Sequence, residues 1–404
     1  MKYAQTVLIV GFFAIIFGLG ITSLVTPDRA SSWWENRTLA QAPTVTVEGL
    51  TTGKVFKEYE KYVTDQFPGR DDWMAAYTKF QLAQGKTFVN NTHVTPDGLM
   101  IKRPMGETPA EQLTATATAL NELGAELAKR EIPYYFMVMP AKVNMLADYL
   151  PPDVSRGYGK ENKANVLSQI DPNMVKVVDG ETIWRTAYSR EQIPELYFKT
   201  DHHWNIEGAM FGYRTVIDSL AQDFPDMAAA DADVGRYTLR CVNRVFMGSW
   251  NKQLAGQVTN HGDQPCYYDP TTYSYQDFLI YKGPIDSKNL IAKDAFYATG
   301  LNQQTVPIDY ATGYMYDQRE ITLVNKKSPN KLRALILKDS FTNPILFYLG
   351  HHFEQTTFYD IRHNPDRSVY EFIAENEFDV VITLYNDELF FGPLYIFNRV
   401  PTQP

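Results

Sequence analysis

The densest polar stretch of the chain is Lys199-Thr200-Asp201-His202-His203-Trp204-Asn205. On extended backbone, residues two apart face the same side. Asp201 can then accept a hydrogen bond from one ring nitrogen of His203 and leave the other to take a proton, with His202 turned away. Such a dyad lacks only a nucleophile. The run Leu335-Ile336-Leu337-Lys338-Asp339-Ser340-Phe341 reads as a buried strand that breaks into a helix at Ser340. A hydroxyl at that tight turn lies beside free backbone N–H groups able to stabilise an oxyanion. Ser340 is therefore the candidate nucleophile, His203 its base, and Asp201 the residue that orients the base.

Each of these residues also has a plain structural alternative. A His-His-Trp cluster can be a packed aromatic corner, Asp201 can cap a helix beginning near Ile206, and Trp204 stands as a core residue first and a substrate-binding candidate second. A metal site from Asp201, His202 and His203 is disfavoured, because adjacent strand residues point to opposite faces and no third His or Cys follows at ligand spacing. No metal and no cofactor is expected.

The elements that must position these residues alternate strand and helix. The runs 134–139, 175–178, 332–337, 356–359 and 380–384 are short, apolar and rich in β-branched or aromatic residues, as buried parallel strands are. A helix is expected from about 110 to 130, ahead of the first run, and helical patterns at 160–170, 207–222, 343–350 and 367–376 separate several of the strands. That alternation predicts a doubly wound α/β sheet. Between about 236 and 325 the chain becomes Tyr-rich and punctuated by Gly and Asp, which reads as a β-rich insertion. In open α/β sheets ligands bind outside the carboxyl ends of strands, so the polar residues there are candidates: Lys142, Asp179, Asp339, Ser340, Asp360, Arg362 and Asn386. For Asp179 an ordinary helix cap is the better reading.

The chain has 404 residues, 44% of them hydrophobic by type, which suffices for a core and excludes a disordered chain. A net charge of −9 argues against a protein that tracks nucleic-acid phosphates. From Tyr3 to Pro27 no residue is charged, and 7–25 as a helix spans roughly 28 Å, about one hydrocarbon core. Residues 1–27 read as an uncleaved membrane anchor, a cleaved signal being the alternative. Residues 28–52 read as an extended stalk, and 53–404 as the extracytoplasmic domain, opening with a helical segment marked by Phe56, Tyr59, Val63, Trp73, Tyr77 and Phe80. In an oxidising compartment Cys241 and Cys266 can pair, which would stabilise the fold by about 3 kcal/mol through loop entropy. Two buried thiols are the alternative.

Asp201-His202-His203-Trp204 is the signature for which the DHHW protein family is named, and it resembles the Asp-x-His-Trp element of the alginate O-acetyltransferase family of SGNH-hydrolase-like proteins. Glu35-Asn36-Arg37-Thr38-Leu39, Asp65-Gln66-Phe67-Pro68-Gly69-Arg70, Pro140-Ala141-Lys142, Phe246-Met247-Gly248-Ser249, Asp339-Ser340-Phe341 and Asp360-Ile361-Arg362 resemble further family blocks, in order. The resemblance implies an extracytoplasmic SGNH-like domain with an Asp-His-Ser triad at Asp201, His203 and Ser340, in permuted motif order. It also implies transfer of acetyl groups to a surface polysaccharide beside a membrane-bound O-acyltransferase that supplies acetyl. The chain departs from ordinary SGNH enzymes in having Lys338-Asp339-Ser340 where they have Gly-Asp-Ser, and their separate Gly and Asn blocks are not recognisable. The backbone N–H of Ser340 and the side chain of Asn386 are the oxyanion candidates. Lys142 and Arg362 are candidates for holding a polymer or steering a sugar, with salt bridges to Asp339 or Asp360 as the alternative.

The expectation is thus a membrane-anchored, extracytoplasmic serine O-acetyltransferase that passes acetyl through Ser340 to a hydroxyl of a cell-surface or exported polysaccharide. A carbohydrate acetyl-esterase with the same triad and a non-catalytic polysaccharide-binding or assembly protein are the alternatives.

Overall fold

The computed structural model describes residues 2–35, 37–225, 227, 234–285, 307–328 and 330–398. It divides into two compact units, residues 1–90 with 251–259, and residues 91–250 with 260–404.

The first unit opens with the helix Lys2–Val25. Its span Tyr3–Val25 is long and apolar enough to cross a membrane. Residues 29–35 and 37–41, read above as part of an extended stalk, are instead folded onto two helices, Lys54–Asp65 and Arg70–Ala83. The Arg37 guanidinium grips the Asp65 carboxylate at 2.5 and 2.8 Å, and Arg70 grips Glu35 at 2.6 and 3.1 Å. The Ala40 N–H donates to the same Asp65 at 2.8 Å. Asp65 is buried, and the hydrogen bonds from Arg37 hold its carboxyl well below the usual range against the cost of burial. Two of the blocks singled out in the sequence, 35–39 and 65–70, are therefore two halves of one ion-pair clasp.

The second unit is built on a seven-stranded sheet: β1 Tyr134–Met139, β2 Lys176–Asp179, β3 Phe278–Lys282, β4 Glu320–Asn325, β5 Arg333–Lys338, β6 Gln355–Tyr359 and β7 Val380–Asn386. Their spatial order is β3-β4-β6-β5-β7-β1-β2. The five from β6 to β2 are parallel, in the register Leu337↔Tyr359, Leu337↔Thr383 and Thr383↔Phe136. β4 runs antiparallel to β6, and β3 antiparallel to β4. The strands predicted from apolar runs fall within a residue or two of these bounds, because all but the edge strand β2 are buried along most of their length and so read as continuous hydrophobic runs. Every residue of β1 is buried.

On one face, Leu113, Leu120, Leu123 and Leu127 of the helix Ala110–Ala128 pack with Phe136, Val138, Leu335, Leu337 and Phe372. Each fully buried leucine contributes about 2 kcal/mol of transfer free energy. The opposite face carries Tyr135, whose hydroxyl donates to Asp223 just beyond the helix Ile206–Ala221. Helices on both faces of a largely parallel sheet make this a doubly wound α/β fold.

The region 236–325 is only partly a β insertion. Tyr237–Cys241 and Cys266–Pro270 form an antiparallel pair, closed by a disulfide between Cys241 and Cys266. β3 and β4, however, belong to the central sheet, and Tyr310–Tyr314 is a helix capped by Asp309, whose side chain accepts from the Thr312 N–H at 2.9 Å. Residues 286–306 of that expectation lie outside the described residues.

Candidate active site

The carboxyl ends of β5, β7 and β1 converge on the polar residues that the sequence placed after them. β5 ends at Lys338, and Asp339 then caps a short 3-10 turn, Ser340–Ile345, by accepting from the Phe341 N–H at 2.9 Å. Ser340 is the first residue of that turn and is partly exposed. Its Oγ lies 2.8 Å from Nε2 of His203, and His203 Nδ1 lies 2.6 Å from Oδ1 of Asp201. A carboxylate can only accept, so Nδ1 carries the ring proton and Nε2 accepts from the Ser340 hydroxyl. Asp201, His203 and Ser340 thus form one continuous chain of hydrogen bonds.

The local geometry differs from the extended strand assumed from sequence. Asp201 Oδ1 also accepts from the backbone N–H of His203 at 3.1 Å, a turn that folds the side chain back onto its own segment. His202 consequently does not point away. Its ring centroid lies 3.8 Å from that of His203, and its Nδ1 lies 2.8 Å from Ser249 Oγ. Burial, with His203 beside it and Asp201 opposing, lowers His202 to about 4, so it is neutral at pH 7. Burial works against the Asp201 carboxylate, but His202, His203 and the Ser249 N–H at 2.6 Å outweigh it and keep Asp201 well below the usual range.

Two residues that the sequence did not single out, Asp263 and Tyr310, hold this segment together with Gly248. Asp263 accepts from the Lys199 N–H at 2.6 Å, and from the Thr200 N–H and hydroxyl at 2.8 and 2.6 Å. Gly248, in the block 246–249, lets the backbone approach Thr200: a Cβ there would lie 2.2 Å from the Thr200 carbonyl oxygen. Tyr310 lies flat against His203, and its hydroxyl donates to the Ser340 carbonyl at 2.9 Å. No spacing signal ties Tyr310 or Asp263 to the site, because both arrive from distant segments.

Five candidates take places other than substrate or oxyanion contacts. Lys142 is fully buried, and its ammonium donates to the carbonyls of Phe198, Lys199 and Asp201 at 2.7, 2.8 and 2.9 Å while lying 4.4 Å from the centre of the Trp250 ring. It clamps the backbone that bears the dyad and is closed to substrate, and its partners are carbonyls rather than Asp339 or Asp360. Arg362 is paired with Asp360 at 2.6 Å and with Asp317 at 2.9 Å, the ion-pair alternative. Trp204 is core: it stacks on Trp184 with centroids 5.9 Å apart and meets Phe341 edge-on, and a Cβ at Gly212 would come within 2.7 Å of its ring. Asn386 donates both its backbone and its side-chain amide to Asp339 Oδ2 at 2.7 Å, so it braces the residue before Ser340. Asp179 caps the helix Gly180–Ala187 by accepting from the Glu181 N–H.

The three carboxylate and imidazole groups of Asp201, His202 and His203 lie close enough together to surround an ion. The Asp201 oxygens are, however, already engaged by His203 and Ser249. A cavity of about 890 Å³ lined by Asp223, Arg333 and Asp379 lies at the amino end of β5, opposite to Ser340, and takes no part in this arrangement.

Residues 99–276 match the family model of the SGNH hydrolase-like domain of the acetyltransferase AlgX. Over that segment the chain is similar to SGNH hydrolase-like domains. The matched segment includes Asp201 and His203, while Ser340 lies beyond it. Two solved structures of Bacillus cereus PatB1 are similar to the chain. One, with a sulfonyl adduct, is 27% identical and covers 77% of this chain and 100% of its own, with a TM-score of 0.66. The other is 29% identical and covers 76% and 99%, with a TM-score of 0.67. A DHHW family protein from Eubacterium siraeum shares the fold at 19% identity, covering 78% of this chain and 97% of its own with a TM-score of 0.57. No curated protein sequence matches the chain significantly. The fold is thus of the type found in SGNH-like acetyltransferases.

Proposed function

We propose that the protein is a membrane-anchored, extracytoplasmic O-acetyltransferase that moves an acetyl group through Ser340 to a hydroxyl of a cell-surface or exported polysaccharide. The single observation that carries this proposal is the unbroken hydrogen-bond chain from Asp201 through His203 to a partly exposed Ser340. The match of residues 99–276 to an acetyltransferase domain favours acetyl as the group transferred.

In the first half-reaction the Ser340 oxygen attacks the acetyl carbonyl of a donor ester while His203 Nε2 takes the hydroxyl proton. The tetrahedral oxyanion collapses, the donor alcohol leaves with the proton from His203, and acetyl remains on Ser340. In the second half a sugar hydroxyl gives its proton to His203 and attacks acetyl-Ser340, and the proton returns to the serine oxygen. One ester bond is broken and one formed, with no net change in protons. Asp201 stays ionised throughout and stabilises the imidazolium. The N–H of Ser340, the first residue of its turn, has no preceding helical carbonyl to bond and is the proposed oxyanion donor.

Anchoring is assigned to the apolar helix Lys2–Val25. The donor side is assigned to a membrane-bound O-acyltransferase partner, by resemblance to the family. The test is turnover of an activated acetyl ester with and without an oligosaccharide acceptor. Ester consumption lost in Ser340→Ala and His203→Ala, with acetylated oligosaccharide as product, is expected. Acetate release unaffected by the acceptor would make the protein an esterase, and absence of turnover would favour a binding role.

A further inference from the structure

In the unit formed by residues 1–90 with 251–259, two helices present apolar side chains to water at helical spacing. Phe56, Tyr59 and Val63 lie on one face of Lys54–Asp65, with Phe56 65% exposed. Trp73, Tyr77 and Phe80 lie on one face of Arg70–Ala83, each at least 57% exposed. Single exposed apolar residues are ordinary, but three at i, i+3/i+4, i+7 spacing on each of two successive helices make an apolar stripe along each that calls for an occupant.

The occupant is identified by what the helices are tied to. Asp28 follows Val25, the last residue of the N-terminal apolar helix, by three positions, and its carboxylate accepts from the Tyr62 hydroxyl at 3.1 Å. The Arg29 N–H donates to Gln66 at 2.9 Å, Gln66 returns a hydrogen bond to the Arg29 carbonyl at 2.9 Å, and the Arg29 guanidinium holds Asp71 at 2.5 Å. The end of one striped helix and the start of the next are thereby fastened to residues that a chain leaving Val25 reaches within about 14 Å. That is about twice the thickness of the headgroup layer of the bilayer that Lys2–Val25 is long enough to cross, so the helices stay within reach of its surface. Between Lys54 and Ala83 the sequence has five basic and five acidic residues, so attraction to anionic lipid is not what holds this surface. Trp and Tyr, with an apolar body and a polar edge, are the residues that settle at such an interface.

We propose that the stripe of Phe56, Tyr59, Val63, Trp73, Tyr77 and Phe80 seats the helix pair in the headgroup–acyl boundary of the membrane that the N-terminal helix crosses. The chain then meets the bilayer twice, once through it and once along its surface. This rests on the reading of Lys2–Val25 as a retained anchor.

The test uses the full chain in phosphatidylcholine liposomes. Its two native cysteines are disulfide-bonded, so an introduced cysteine alone takes a thiol-reactive fluorophore. Probes at Val63→Cys and Tyr77→Cys report the stripe, and probes at Lys61→Cys and Lys79→Cys report exposed positions off it. The stripe probes are expected to be quenched several-fold more strongly than the others by a quencher carried on the lipid chain, and to be shielded from aqueous iodide, at low and high salt alike. Equal quenching at all four positions, with iodide reaching the stripe, overturns the proposal and leaves a protein surface as the occupant. Extraction of the whole chain by alkaline carbonate overturns the anchor and the proposal together. Retention with a wet stripe overturns the stripe alone.

Discussion

The ring of Tyr310 lies on the imidazole of His203 with centroids 3.5 Å apart and planes 2° from parallel, while its hydroxyl holds the backbone carbonyl of Ser340. One side chain thus fixes both partners of the proposed proton transfer. The stack and the hydrogen bond are each worth about 1 kcal/mol. Tyr310→Phe, which keeps the stack, should lose about fivefold in kcat, and Tyr310→Leu, which loses both contacts, about 30-fold, with KM for the acetyl ester unchanged in each. Steady-state kinetics of the pair checks this. Equal losses in both variants, or a change confined to KM, would contradict a positioning role.

Lys142 yields a prediction in pH. Burial lowers its ammonium to about 7 from an ordinary 10.5, against the pull of Asp263 and Asp201. Between those values the unfolded chain holds a proton that the folded chain has lost, so stability contributed by this group rises as pH increases. The same deprotonation removes one of three N–H donors from the carbonyls that carry the dyad. Relative to Lys142→Met, the urea midpoint of the wild-type chain should climb on the alkaline side while its relative acetyl-transfer rate falls. Parallel profiles for both proteins would show that Lys142 does not titrate there.

Asn386 separates bracing from oxyanion binding. Burial raises the Asp339 carboxyl, and the two amides of Asn386 oppose that rise. Asn386→Ala removes one donor from a buried acceptor and should cost about 1–2 kcal/mol of stability, with less than about a tenfold loss in kcat. An oxyanion donor would cost about 10²–10³ in kcat. Denaturation and kinetics on one variant decide between these roles.

Arg362 is tested in the same way. Asp360 is fully buried, and Lys338 also approaches it, at 3.7 Å. Since Arg362 is about a third exposed and Lys338 remains, Arg362→Ala should cost about 2 kcal/mol, below the usual loss for breaking a buried pair. KM for an oligosaccharide acceptor should be unchanged. A raised KM at unchanged stability would instead make Arg362 a substrate contact.

The five parallel strands were legible as short apolar runs, whereas β3 and β4 were read into the insertion, and Ser340 was legible because it stands just past the end of such a strand. Asp201 and His203 were recognised through an i, i+2 argument, although the structure pairs them through a turn that brings His202 alongside. Lys142, Arg362 and Asn386 do stand at strand ends, but Lys142 turns to backbone carbonyls, Arg362 to the ion pair that was its alternative, and Asn386, read as an oxyanion candidate, to Asp339, since sequence position does not show which way a polar group faces. Tyr310 and Asp263 carried no local signal: their segments are far from the dyad in sequence, and only tertiary folding brings them to it. Residues 29–41 looked like a linker because an ion-pair clasp leaves no hydrophobic period.

The most direct measurement is peptide mass spectrometry of the full chain after brief incubation with an activated acetyl ester and acid quench. A single acetyl group on Ser340, absent in Ser340→Ala and His203→Ala and discharged faster by oligosaccharide than by water, is the expected result. Acetylated oligosaccharide formed while Ser340 never carries acetyl, or formed equally by Ser340→Ala, would contradict a serine-linked acetyl intermediate.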